Sequence, residues 1–227
     1  MFIGHYGVSF VAATRPKAPN LGTLFVAAQL IDFGFFGLLI LGVEHMRLVP
    51  GATVMNPMDL YFMPYTHSLL GALAWSAAFA AILWFATRMR GAAIIGGAVA
   101  FSHWLIDLLV HGADLTLWGS PPKFGLGLWN HPLIEMPLEL YFAYGGLVWY
   151  LRRTQPVDAV GRWSPWLLAV AMAGLQAFNW FGPVPDTIID PPPASTGPLG
   201  LFAYTLLAAI AWWMASNRAV KPVPRTG

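Results

Sequence analysis

Residues 92–111 read AAIIGGAVAFSHWLIDLLVH, a stretch that is apolar except for Ser102, His103, Asp107 and His111. A helix of about 20 residues crosses a hydrocarbon core of roughly 30 Å, so this stretch has the length and composition of a membrane span. His103, Asp107 and His111 recur every four residues and therefore share one face of that helix. Because ionisable side chains are costly in lipid, they mark this face as a functional site.

The rest of the chain repeats the pattern of long apolar stretches. Of 227 residues, 57% are hydrophobic and 10% are charged, which excludes the surface of an ordinary water-soluble protein. We predict an all-α fold: a polytopic membrane helix bundle in a single integral membrane domain over residues 1–220. About six transmembrane helices are predicted at 22–43, 67–87, 92–111, 132–151, 163–182 and 198–216, with a short half-helix within 1–13 and a disordered cytoplasmic tail at 221–227.

The basic residues predict the orientation of these spans. Ten of the twelve lie on one side of the six-span arrangement, and only Arg47 and Lys123 lie on the other. The positive-inside rule then places both termini in the cytoplasm of a bacterial inner membrane. The ten are Arg15, Lys17, Arg88, Arg90, Arg152, Arg153, Arg162, Arg218, Lys221 and Arg225. No basic face indicates a nucleic-acid partner, and membrane lipid is the expected surrounding.

Histidines and carboxylates from five segments are expected in one half of the bilayer. At about 1.5 Å per helical residue, His5 and Asp32 fall near the middle, and His103, Asp107 and Glu139 lie further out. The remaining candidates, His67, His111, His131 and Glu135, lie at or near the outer surface, and His131, Glu135 and Glu139 again recur every four residues.

Such a convergence predicts a metal site that faces outward. The chain has no cysteine, so imidazole and carboxylate are the available strong ligands. These are good ligands for zinc and similar divalent ions, and two or three ions sharing a bridging carboxylate would support metal-assisted hydrolysis.

The order of these residues resembles that of a known enzyme superfamily. His5, Asp32, His67, His103-x-x-x-Asp107, His111 and His131-x-x-x-Glu135 follow the ligand order of the zinc-dependent phospholipase C and P1 nuclease superfamily. Gly4-His5, Asp32, Thr66-His67-Ser68 and Ser102-His103 with Asp107 resemble the bacterial family of membrane-bound metal-dependent hydrolases. That family includes inner-membrane proteins described as LexA-binding, and the resemblance covers about residues 1–153.

The resemblance implies a role for each residue of the set. Asp32, His67, His103 and Asp107 would surround one metal, and Asp107 would bridge to a second that His5 helps to hold. A third metal would be held by His111, His131 and Glu135, although the short gap after Asp107 leaves an orienting role open for His111. Asp32 and Asp107 are the candidate catalytic residues.

Three further residues are candidates for substrate binding or for orienting a ligand. Arg47 could hold a substrate phosphate as a bidentate donor, or it could form an interfacial charge pair beside His45. Glu139 could accept a hydrogen bond from a ligand, act as a general acid, or be a buried neutral carboxyl.

The leading hypothesis is a membrane-embedded, zinc-type hydrolase acting on a phosphoester of a lipid or lipid-linked substrate. A cation or proton transporter that uses the same cluster is the main competing hypothesis. The same residues would also suit a haem protein that uses His67 and His103, or a scaffold whose metal is structural.

Overall fold

Helices occupy every position at which the sequence predicts one. The computed structural model describes residues 1–222, so residues 223–227 of the predicted tail lie outside it. A 3-10 turn, Ile3–His5, leads into the first of eight α-helices in the described chain. These are α1 (Tyr6–Ala12), α2 (Leu21–Ala28), α3 (Leu30–Ile40), α4 (Leu69–Thr87), α5 (Arg90–Val110), α6 (Pro132–Arg153), α7 (Ala159–Phe181) and α8 (Thr196–Ser216).

Three of these helices, rather than the predicted six, are both long and apolar enough to cross a membrane. They are α4, α5 and α8, and the bent pair α2 and α3 would make a fourth. Helices α6 and α7 have 22 and 23 residues, but their mean hydropathy is lower. In α6 the cause is plain, because Glu135, Glu139, Arg152 and Arg153 all belong to that helix.

The first predicted span is broken in the middle. Helices α2 and α3 meet at Gln29 with a bend of 56°. The Gln29 amide donates a hydrogen bond to the Phe2 carbonyl at 2.9 Å, and the Ala28 carbonyl accepts one from His103 at 2.7 Å. The bend also places Asp32 in the first turn of α3, where the positive end of a helix dipole favours a carboxylate.

The N-terminal segment lies inside the bundle. Tyr6 and Phe10 are fully buried, and the Tyr6 ring stacks on Phe25 of α2 at 3.9 Å. Helix α1 crosses α6 where both helices carry glycine: a Cβ on Gly146 would lie 2.8 Å from the Gly7 Cα. The two small residues let the backbones approach closely, which brings His5 to the centre of the protein.

Short two-stranded sheets, which the all-α prediction did not include, close the two ends of the bundle. Strand β1 (His45–Leu48) pairs with β2 (Met58–Phe62), and β3 (Leu115–Thr116) pairs with β4 (Lys123–Phe124), all in predicted outer loops. At the other end, β5 (Thr154–Pro156) pairs with β6 (Arg218–Val220) and ties the end of α6 to the end of α8. Lys221, the first residue of the predicted tail, donates its backbone N–H to the Arg153 carbonyl at 2.8 Å, so the hydrogen-bonded chain extends one residue into that tail.

Candidate metal centre

Six of the predicted ligand residues come together at one buried point. Asp107 on α5 is at the centre, because its two carboxylate oxygens face different histidines. Its Oδ2 lies 2.9 Å from His103 Nε2 and 3.7 Å from His67 Nε2. Its Oδ1 lies 3.1 Å from His5 Nε2 and 3.6 Å from His111 Nε2. Asp107 can therefore bridge two ions.

On the side of Asp107 Oδ2, the residues Asp32, His67 and His103 form a group of three ligand atoms that could hold one ion. Asp32 Oδ1 lies 3.3 Å from His67 Nε2 and 3.5 Å from His103 Nε2. Zinc binds nitrogen and oxygen at about 2.05 Å, so neighbouring ligand atoms of a tetrahedron lie about 3.3 Å apart. The four nitrogen–oxygen distances here, between 2.9 and 3.7 Å, fall on both sides of that value.

A second group that could hold an ion is His5, His103 and Asp107, and His111 Nε2 adjoins it at 3.6 Å from Asp107 Oδ1. The rings of His5 and His103 stack at 4.0 Å, so the two positions are adjacent. His103 belongs to both groups, but its bond to Ala28 leaves it one ring nitrogen, so it can serve only one of the two positions at a time. The Met1 amino group also lies 3.6 Å from Asp107 Oδ1.

Three of the histidines are held in the tautomer that a metal requires. His103 Nδ1 donates to the Ala28 carbonyl at 2.7 Å, and His111 Nδ1 donates to Asp114 at 2.9 Å. His67 Nδ1 lies 2.9 Å from the Thr66 hydroxyl. Since each Nδ1 carries the proton, each Nε2 presents a lone pair to the carboxylates. Metal-binding histidines are usually oriented by such a bond on the other ring nitrogen.

The Thr66 hydroxyl links His67 to the buried carboxylate of Glu44. Thr66 donates to Glu44 Oε2 at 2.6 Å, which leaves its oxygen lone pair to accept the proton of His67 Nδ1. Glu44 Oε1 accepts the backbone N–H groups of Tyr65 and Thr66 at 2.8 and 3.0 Å. The sequence places Glu44 just outside a span and gives no signal of this role, because the contact depends on how the loop folds back.

Asp32 is oriented by a residue from the last helix. The Tyr204 hydroxyl of α8 donates to Asp32 Oδ2 at 2.8 Å, which leaves Asp32 Oδ1 for the histidines. Tyr204 is buried, and its ring packs edge-on against Phe2 and Phe33. The resemblance ends near residue 153, so it could not indicate Tyr204.

Glu139 holds the N-terminal segment instead of facing the ion positions. Its Oε1 accepts the backbone N–H groups of Phe2 and of Gly4, the latter at 3.2 Å. Its Oε2 accepts the side-chain amide of Gln176 from α7 at 2.9 Å. Both oxygens of Glu139 accept hydrogen bonds, but the donors are Phe2, Gly4 and Gln176 and not a predicted ligand, so Glu139 fixes the segment that carries His5.

The remaining predicted residues are not brought to the cluster. His131 is exposed at the start of α6, and Glu135 is fully buried but has no hydrogen-bond partner within residues 1–222. His45 is exposed and stacks near Tyr61 and Phe62.

Arg47 forms a charge pair on the outer hairpin. Its Nε donates to Asp59 Oδ2 at 2.7 Å, and this hydrogen bond raises the pKa of the guanidinium. Of its two predicted roles, the structure shows the charge pair.

The charge of the cluster favours a cation. Asp32 and Asp107 both contact His67 and His103. No Lys or Arg within the described part of the chain pairs with either carboxylate. A buried carboxylate needs a compensating charge in low dielectric. The Met1 amino group, 3.6 Å from Asp107 Oδ1, can balance one of these two charges, and neutral imidazoles provide lone pairs and no charge, so these His and Asp groups could hold a metal ion.

Comparisons with protein-family models, with curated proteins and with solved structures found no match to this chain. The resemblance to membrane-bound metal-dependent hydrolases therefore stays a prediction from the residues quoted above.

The ion positions are reached through one end of a cavity of about 420 Å³. Asp32, His67, Asp107 and His111 line that end, and the other walls come mainly from apolar side chains of α3, the β1–β2 hairpin, α7 and α8. The carboxylates are thus accessible to a ligand within the protein while remaining shielded from bulk water.

Proposed function

We propose that this protein is a membrane-embedded, metal-dependent hydrolase that cleaves a phosphoester of a lipid or lipid-linked molecule. The observation that carries the proposal is the paired arrangement around Asp107, in which each carboxylate oxygen faces two imidazole nitrogens. A closed structural site would use all its ligands on one ion. Two adjacent positions at the end of a ligand-sized cavity suit a reaction at phosphorus.

Zinc is the ion that this ligand set favours, and two ions are expected from the distances. Divalent ions in such a pair polarise a phosphoryl oxygen and lower the pKa of water. In the hydrolysis, the oxygen of water bonds to phosphorus, the ester P–O bond breaks, and the leaving oxygen takes up a proton. Asp32 and Asp107 would keep the ions in register with the substrate, and Tyr204 and Thr66 would keep Asp32 and His67 in place.

The proposed setting is the bacterial inner membrane, with six spans and the cluster towards the outer face. Helices α6 and α7, at about 1.5 Å per residue, are as long as α5, and the glutamates of α6 point into the protein. The bent pair α2 and α3 would be the first span. The positive-inside rule supports a cytoplasmic β5–β6 end, because both Arg153 and Arg218 lie there.

Conduction of a cation or a proton is the competing function. A path would have to continue from the cluster to the basic end of the bundle. That region is filled by a fully buried apolar core that includes Tyr6, Phe10, Phe25 and Leu168. The packing favours a site with access from one side only.

The test is metal content and hydrolysis measured on the same purified samples. Wild-type protein reconstituted in nanodiscs should bind two zinc ions per chain and hydrolyse bis(p-nitrophenyl) phosphate. Asp107→Asn should lose both ions, because the amide cannot bridge them, and its turnover should fall at least a hundredfold. Asp186→Asn, which changes an exposed carboxylate of an outer loop, is the matched control and should keep both properties.

Two outcomes would reject the proposal. Loss of metal from Asp107→Asn with unchanged turnover would show that the cluster takes no part in the hydrolysis. Zinc-dependent ion flux through wild-type liposomes without hydrolysis of any phosphoester would favour the transporter.

A further inference from the structure

The cavity beside the ion positions is lined mainly by apolar side chains, which a small polar substrate would not require. Only its inner end carries ionisable side chains, and most of the remaining wall is apolar. Phe35 and Phe36 of α3, Leu60 of β2 and Leu175 of α7 contribute to this wall. Its volume lies within the range of about 300–1,000 Å³ for ligand pockets.

The cavity reaches the protein surface between the end of α7 and the start of α8. Phe178 at the end of α7, Val184 just after it and Leu199 at the start of α8 all line the cavity, yet they are 66%, 58% and 57% exposed. Exposed apolar residues at the mouth of a cavity are suited to contact with lipid. Phe181 and Phe202 beside them are also exposed, so the surface around the opening is apolar too.

We infer that the substrate is an amphiphile whose hydrocarbon chain enters from the bilayer between α7 and α8 and occupies this cavity, with its phosphoester at the ion positions. The inference rests on the proposed function, which already names a lipid phosphoester, and adds the position of the hydrocarbon chain, its route of access and the residues that select it. The polar end of such a molecule is anionic and meets the cation-binding end of the cavity. Its chain meets walls that are mainly apolar.

Leu199 is the residue that should control access of the chain. It lies in the first turn of α8, on the mouth and away from the ligands. Leu199→Trp should narrow the opening while leaving the inner end unchanged. Phe202→Trp is the matched control, because Phe202 is equally exposed on the same helix but does not line the cavity.

The experiment compares ethyl, octyl and dodecyl p-nitrophenyl phosphate, which share the reacting bond and the leaving group. In nanodiscs, Leu199→Trp should lower the dodecyl-to-ethyl ratio of kcat/KM at least tenfold relative to wild type. Phe202→Trp should change that ratio less than twofold. An unchanged ratio in Leu199→Trp would overturn the inference.

Turnover of the ethyl ester reports whether a variant is folded and loaded with metal. Should Leu199→Trp lose it, Val184→Trp narrows the same mouth from the other side and is subject to the same criterion.

A binding readout separates this inference from the proposed function. Dodecylphosphonate with a diazirine at its terminal carbon should crosslink to cavity-lining residues of α7 and α8, and less so in Leu199→Trp. Crosslinking there without hydrolysis of any ester would reject the proposed hydrolase function but support the cavity as the binding site of the hydrocarbon chain. Crosslinking confined to the outer surface of α4, and equal in both variants, would reject the chain site.

Discussion

At the scale of single residues, the site depends on the candidate ligands and also on the hydrogen bonds that orient them. Three imidazoles reach the carboxylates of Asp32 and Asp107 through Nε2, and in each the opposite nitrogen is occupied. The acceptors are chemically different: a threonine hydroxyl, a helix carbonyl and a carboxylate. What they share is that each removes the competing tautomer and fixes the plane of the ring.

Thr66→Val tests the most indirect of these bonds. Valine has nearly the shape of threonine, but it can neither accept from His67 nor donate to the buried Glu44. We expect zinc affinity to fall about 10- to 100-fold, the usual effect of removing a partner of a metal ligand. Thr66→Ser keeps the hydroxyl and should retain affinity within a few-fold. Competition with a chromophoric chelator measures both variants.

The same comparison contains its own check on folding. If Thr66 acts through His67, the metal-free variants should have similar melting temperatures although their zinc affinities differ. Equal zinc affinity in Thr66→Val and wild type would show that the hydrogen bond to His67 does not matter for the site.

At the scale of elements, the sequence predicts the positions of the helices well and their interruptions poorly. Apolar stretches above about 18 residues are a strong signal, and α4, α5 and α8 match it within three residues at either end. The bend at Gln29 has no such signal, since neither proline nor glycine lies at residues 27–30. It is stabilised by tertiary contacts of Gln29 with Phe2 and of Ala28 with His103, which no local pattern encodes.

The sequence likewise predicts one part of the candidate site and misses another. The i, i+4 pattern of α5 predicts that His103, Asp107 and His111 act together, and the structure brings all three together. The identical spacing on α6 is misleading, because Glu139 accepts from the N-terminal segment and His131 is exposed. Spacing defines a helix face, but only packing decides what that face contacts.

The crossing of α1 and α6 gives a prediction about stability. A Cβ on Gly7 would overlap the Phe142 carbonyl oxygen, which is backbone and cannot turn aside. Gly7→Ala should therefore lower the free energy of unfolding by about 1–3 kcal/mol, the usual cost of overpacking. It should also disturb His5, two residues earlier.

Gly174→Ala on α7 is the control for Gly7→Ala. No atom lies within 4 Å of a Cβ there, so the substitution should be neutral or stabilising by up to about 1 kcal/mol through helix propensity. Unfolding in mild detergent, followed by tryptophan fluorescence, measures both. Destabilisation of the same size in both variants would mean that the close approach of α1 to α6 is not the cause.

At the scale of the whole molecule, the last two helices complete a site that the rest of the chain begins. Helix α8 packs against α2 and α3 and brings Tyr204 to Asp32, while α7 brings Gln176 to Glu139. The same two helices also line the part of the cavity that reaches the surface. The ligand residues therefore depend, for orientation and for access, on a part of the chain that carries no ligand.

The orientation of the whole molecule can be tested directly because the chain has no cysteine. Ala52 lies in the β1–β2 loop, at the end of the bundle where the cavity lies, and Gln155 lies in β5 at the opposite end; both are exposed. In spheroplasts, a membrane-impermeant maleimide should label Ala52→Cys, and it should label Gln155→Cys only after permeabilisation. That pattern would place the ion positions towards the outer leaflet, as the distribution of basic residues predicts. The reverse pattern would direct the cavity to the inner leaflet, so that lipids of that leaflet would be the molecules with access between α7 and α8.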